Sequence, residues 1–67
     1  MTYPKGERVW TRYYNLSHEL IFILTTKQTL DFYFLYEFVD GTFKKLGKAK
    51  SPLELEEKFN VRERMNA

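Results

Sequence analysis

Apolar side chains recur along this chain in short blocks whose spacing suits β-strands. Residues 8–14 (Arg-Val-Trp-Thr-Arg-Tyr-Tyr) are dense in β-branched and aromatic types, which favours a first strand. Asn15-Leu16-Ser17-His18 supplies turn formers that end it. Residues 19–26 (Glu-Leu-Ile-Phe-Ile-Leu-Thr-Thr) read as a second strand, Lys27-Gln28-Thr29 as a polar connection, and residues 31–39 (Asp-Phe-Tyr-Phe-Leu-Tyr-Glu-Phe-Val) as a third. Asp40-Gly41 then sits between apolar runs. That pair suits a type I′ turn, where both central residues need positive φ. Residues 42–50 return as a fourth strand.

Ser51-Pro52-Leu53-Glu54 opens a helix. The serine acts as N-cap, proline takes the first helical position, and the glutamate three residues on completes a capping box. Leu55 and Phe59, spaced i, i+4, mark its apolar face. The pattern therefore predicts one α+β domain over residues 1–67: an entry arm (1–7), a four-stranded antiparallel β-meander (8–50), one C-terminal α-helix packed on one face (51–60), and a charged tail (61–67) that frays. The order is ββββα.

The turn fixes a register. A two-residue loop pairs Val39 with Thr42, Phe38 with Phe43, Glu37 with Lys44 and Tyr36 with Lys45. Continued without interruption, it pairs Leu35 with Leu46, Phe34 with Gly47, Tyr33 with Lys48, Phe32 with Ala49 and Asp31 with Lys50. Small residues then oppose phenylalanines, so the face of Phe32, Phe34, Phe38 and Phe43 is expected to be the core under the helix. Ile21 and Ile23 belong with it, as do Trp10 and Tyr14 if the first turn is even.

The opposite face collects Val9, Tyr13, Leu20, Phe22, Leu24, Tyr33 and Leu35. A sheet wet on one side alternates apolar and polar positions; this one does not alternate in its centre. One short helix covers one face, and monomers rarely expose large apolar patches. The expectation is a homodimer built on those seven residues. A monomer would instead require the entry arm as a cover, or a different register.

Composition sharpens this picture. The chain has 67 residues, 43% hydrophobic, with twelve aromatic rings (one Trp, five Tyr, six Phe) and no cysteine. So small a core is near the limit of independent stability, and no disulfide or thiolate-bound metal is available. The net charge of +2 is a weak field. The longest apolar run, residues 20–24, is far short of the ~20 that a membrane span needs, and the first residues show no secretory signal. The expectation is a soluble, cytoplasmic protein that does not enter a membrane.

Candidate chemistry is sparse. His18 is the sole histidine, in a polar turn, with no second ligand beside it. Ser17 is its neighbour in sequence, which does not make a catalytic pair, and Ser51 is accounted for as a cap. Glu54, Glu56 and Glu57 suit the positive end of a helix. No phosphate-binding glycine motif occurs. No catalytic residue, metal or cofactor is therefore assigned, no small-molecule substrate is expected, and the chain reads as a non-enzymatic module.

Lys44, Lys45, Lys48 and Lys50 concentrate positive charge on the fourth strand. Lysines on an edge strand block unwanted pairing. With Arg12 and nearby aromatics, Lys44, Lys45 and Lys48 also suit single-stranded nucleic acid, where cations hold phosphates and rings stack on bases. A homodimeric interaction module is the leading expectation, nucleic-acid binding the alternative, and a small inhibitor or adaptor a third. Over residues 30–59 the element order resembles that of dimeric single-strand-binding proteins related to a transcription coactivator, which also join a curved four-stranded sheet to a C-terminal helix. That resemblance implies an outline of the fold; function is read from sites.

Overall fold

A computed structural model describes residues 3–27 and 31–66. Four strands, β1 (Arg8–Tyr14), β2 (Leu20–Thr26), β3 (Tyr33–Val39) and β4 (Thr42–Ala49), precede two helices, α1 (Pro52–Lys58) and α2 (Val61–Met65). The strands pair in chain order as one antiparallel sheet, leaving β1 and β4 as edges. The expected α+β meander is present. Of the polar connection expected at Lys27-Gln28-Thr29, Gln28 and Thr29 lie outside the described residues, as do Met1, Thr2 and Ala67 of the arm and tail.

Local chemistry explains the boundaries. Asp40 and Gly41 both have positive φ (51° and 80°), as the tight turn between β3 and β4 requires. Between β1 and β2, the Asn15 side-chain oxygen accepts from the amides of Ser17 (2.9 Å) and Glu19 (3.0 Å), so the turn satisfies its own donors. Ser51 caps α1 through the Glu54 amide at 3.3 Å, with Pro52 at the first turn.

The register holds from Val39↔Thr42 to Tyr36↔Lys45 and then slips by one. A bulge at Leu46 pairs Leu35 with Gly47, Phe34 with Lys48 and Tyr33 with Ala49. Such a bulge re-aims every later side chain on its strand. Gly47 and Ala49 now share a face with Leu35 and Tyr33, and Lys48 moves to the other. This corrects the expected core: the helices cover the face of Tyr13, Phe22, Leu24 and Leu35, which pack with Leu55 and Val61, and with the partly buried Tyr33 and Phe59. The phenylalanine face is the one left without a helix. On the helix side Phe59 lies close against Gly47, where a side chain would obstruct it.

The residues expected at a dimer interface are thus divided. Tyr13, Phe22, Leu24, Tyr33 and Leu35 do share one face, but it is the chain's own helix-covered core. Val9 and Leu20 pack with the opposite cluster, because β1 and β2 are irregular between Val9 and Thr11 and between Tyr13 and Tyr14. Trp10 meets the Tyr33 ring edge-on at 5.6 Å and is largely exposed, and Tyr14 is also exposed. Trp10 is thus on the helix side, not the phenylalanine face, and Tyr14 stands opposite Leu20, which packs on the phenylalanine face.

The segment expected to fray carries α2. Asn60 adopts the left-handed conformation (φ 52°) that asparagine tolerates, breaking the helix after Phe59 and restarting it. Val61 and Met65 then repeat the i, i+4 spacing of Leu55 and Phe59, and Val61 is fully buried. Side-chain contacts tie the helices to the sheet. The Tyr13 hydroxyl donates to Glu56 at 2.7 Å, Arg62 approaches Glu56 at 3.6 Å, and Arg64 pairs with Glu37 on β3.

Candidate nucleic-acid interface

Strand alternation sends Ile23, Phe34 and Tyr36 to the face without helices. Phe32, Phe43, Val9, Leu20 and Tyr3 pack around them. A bare sheet would leave these rings in water, yet Phe34 and Tyr36 are almost wholly buried and Ile23 entirely so. Two kinds of cover account for that.

The first is a layer of cationic side chains. Lys45 Nζ lies 4.6 Å from the Phe34 ring centre and 5.6 Å from that of Tyr36. Lys48 Nζ is 5.1 Å from Phe32, and Lys27 Nζ is 5.8 Å from Phe34. The Arg12 guanidinium is 5.7 Å from the Tyr3 ring centre. Long basic side chains shield rings with their aliphatic stems while keeping the charge in water. Each cation–ring contact at an exposed site contributes about 0.5–1 kcal/mol.

The second cover is the N-terminal segment. Tyr3 stacks on Phe43 with ring centres 5.1 Å apart and planes 28° off parallel. Glu7 accepts from the Thr25 hydroxyl at 2.6 Å, and the Tyr36 hydroxyl lies 2.8 and 2.9 Å from its two carboxylate oxygens. Burial, and after it the contact with Glu7, pushes the Tyr36 phenol well above its ordinary range. The hydroxyl therefore remains a donor at neutral pH.

Electrostatics distinguish the two faces. On the helix side both arginines of α2 are matched, Arg62 with Glu56 and Arg64 with Glu37. Among the described residues, Arg12, Lys27, Lys45 and Lys48 form no ion pair, and Glu7 is already held by two hydroxyls.

The residues expected to contact nucleic acid divide accordingly. Arg12, Lys45 and Lys48 come together on the aromatic face. Lys44 does not: it lies opposite Glu37, on the helix side of the sheet. Lys27 and Tyr3 join the site without having been anticipated from the sequence. Lys45 lies before the bulge and faces Tyr36 in the uninterrupted register, Lys48 reaches this face only once the bulge is placed, and nothing local marks Tyr3.

The other groups weighed for chemistry stand apart from this face. His18 (φ 63°) occupies an exposed turn position, and Ser51 is spent on its cap. Glu56 is engaged by Tyr13 and Arg62. Among the described residues no three metal-ligating side chains cluster, and no helix is long and apolar enough to cross a membrane. Compared with known protein families, with curated proteins and with solved structures, the chain matches none.

Proposed function

We propose that this protein is a non-enzymatic module that binds single-stranded nucleic acid across the aromatic face of its sheet. One observation carries the reading: Arg12, Lys27, Lys45 and Lys48 gather on the face of Phe32, Phe34, Tyr36 and Phe43 with no acidic partner among the described residues. Cations tracking a backbone and rings offering stacking surfaces are the two components of sequence-tolerant single-strand binding, and the partly buried Phe32 and Phe43 are the rings that can stack, with Phe34 and Tyr36 as the packed floor beneath them. A duplex buries its bases and offers only phosphates to such a face, so single strands are the favoured ligand.

Titration of a fluorescein-labelled oligothymidylate by fluorescence anisotropy tests this. Affinity is expected to fall as salt rises, with a slope of about 0.7 per phosphate neutralised, and to exceed that for a duplex of equal length. Absence of binding at low salt overturns the reading.

Self-association is a second reading, and one observation directs it to new residues. Trp10 and Leu16 are 59% and 70% exposed at the β1 edge and the turn after it. That edge strand carries two cations, Arg8 and Arg12, where β4 carries three lysines. A homodimer would join two β1 edges, and Trp10→Glu would lower the mass seen in solution at high concentration.

A further inference from the structure

We infer that residues 3–7 are a built-in occupant of the aromatic face, with Tyr3 holding the place of a base and Glu7 the place of a phosphate, so that arm and nucleic acid compete. This rests on the nucleic-acid reading above and adds to it two subsites and a means of regulation.

Geometry supports the substitution at both points. Tyr3 lies nearly parallel to Phe43 at a stacking distance, with Arg12 beside it. A planar, sequence-indifferent partner for Phe43 is what a base supplies. Glu7 presents an anionic pair of oxygens to the Thr25 and Tyr36 hydroxyls. Lys45 stands over the same tyrosine ring. Two hydroxyl donors and an ammonium group suit a phosphate oxygen as well as a carboxylate.

The two hydroxyls favour exchange of the arm for another anion over its simple departure. Thr25 is fully buried and Tyr36 nearly so. Among the described residues, Glu7 is the acceptor for both. Lifting it off takes away the protein acceptor of both hydroxyls and leaves them to water. A phosphate arriving as Glu7 departs restores a charged acceptor to both hydroxyls, and a base arriving as Tyr3 departs re-covers Phe43. The arm is otherwise lightly held: among the described residues no main-chain hydrogen bond joins residues 3–6 to the sheet.

Charge alone would make a Glu7 variant bind tighter, so Tyr3 decides the matter. Oligothymidylate affinity is compared between the intact chain and Tyr3→Ala, which removes the stacked ring and no charge. Competition predicts tighter binding by Tyr3→Ala, by about fivefold or more. Equal or weaker binding overturns the inference, because Tyr3 would then be part of the platform. A second measurement needs no variant: amide NMR signals of residues 3–7 in the intact chain are expected to move to unstructured positions as oligothymidylate is added. If binding occurs and those signals stay ordered, the arm is not displaced and the inference fails while the interface stands. If the intact chain and Tyr3→Ala both fail to bind at low salt, interface and inference fall together.

Discussion

The Phe59 ring lies directly over Gly47. A Cβ built at position 47 would stand 3.0 Å from Phe59 Cζ and 3.1 Å from Cε2. This contact lies on the side of the sheet that carries the helices. Gly47→Val is expected to destabilise the protein by about 1–3 kcal/mol, the usual cost of overpacking. In a Phe59→Ala background the same change costs less, since the obstructing ring is gone. Urea denaturation of the four proteins in that cycle measures the coupling; additive costs would show that Phe59 is not what Gly47 accommodates.

Much of the fold was legible along the chain, and the reason it stopped short is specific. Asp40-Gly41 announced its turn, Ser51-Pro52 its cap, and four residue pairs beyond the turn paired as expected, because each depends on neighbouring residues only. The bulge at Leu46 does not. It reflects a fit between β4 and a helix ring many residues later, and it reverses the facing of Gly47, Lys48 and Ala49. An isolated glycine inside a strand is a recognised sign of a bulge or a close approach, so Gly47 held the clue. The irregularities in β1 have no comparable marker, which is why Val9 and Tyr13 were assigned to one face. The spacing of Val61 and Met65 was also readable, once Asn60 is seen as an interruption of the helix and not its end. Tyr3 and Glu7 reach across the sheet by tertiary contact alone and leave no periodic trace.

Asn60 holds the break between α1 and α2 in left-handed geometry. Asn60→Val is expected to cost about 1–2 kcal/mol, because a β-branched residue is strained there, and Asn60→Gly to cost little. Thermal melting of the two variants distinguishes a conformational requirement from a side-chain contact: equal losses would point to the asparagine amide.

Two tyrosines make stability sensitive to alkali. Tyr13 and Tyr36 are both pushed up from the ordinary 10.0, first by burial and then by the carboxylate each one donates to. With a folded pKa above the unfolded one, their contribution is fully present below pH about 10. It is lost as pH rises further, because the unfolded chain releases its proton first. Urea midpoints measured from about pH 8 to about pH 11 are expected to fall across the upper part of that window. Tyr13→Phe and Tyr36→Phe should each flatten the fall.

Tyr13→Phe has a separate effect at neutral pH. Its hydroxyl links β1 to α1 through Glu56 at 2.7 Å, and the part-buried bond to a charged acceptor contributes about 1.5–3 kcal/mol. Chemical denaturation at pH 7 should show a loss in that range. An unchanged midpoint would mean that Arg62 alone satisfies Glu56.

The account turns on which face carries the ligand, and three lysines of one strand separate the faces. Lys45 and Lys48 stand over the rings, and Lys44 lies opposite Glu37 on the helix side. The direct measurement is the salt dependence of oligothymidylate affinity for Lys44→Gln, Lys45→Gln and Lys48→Gln, which change charge equally. Lys45→Gln and Lys48→Gln should each weaken binding and lower the salt slope by about 0.7, with Lys44→Gln leaving the slope near that of the unaltered chain. Equal losses at all three positions, or the largest loss at Lys44, would contradict the assignment of the interface to the aromatic face.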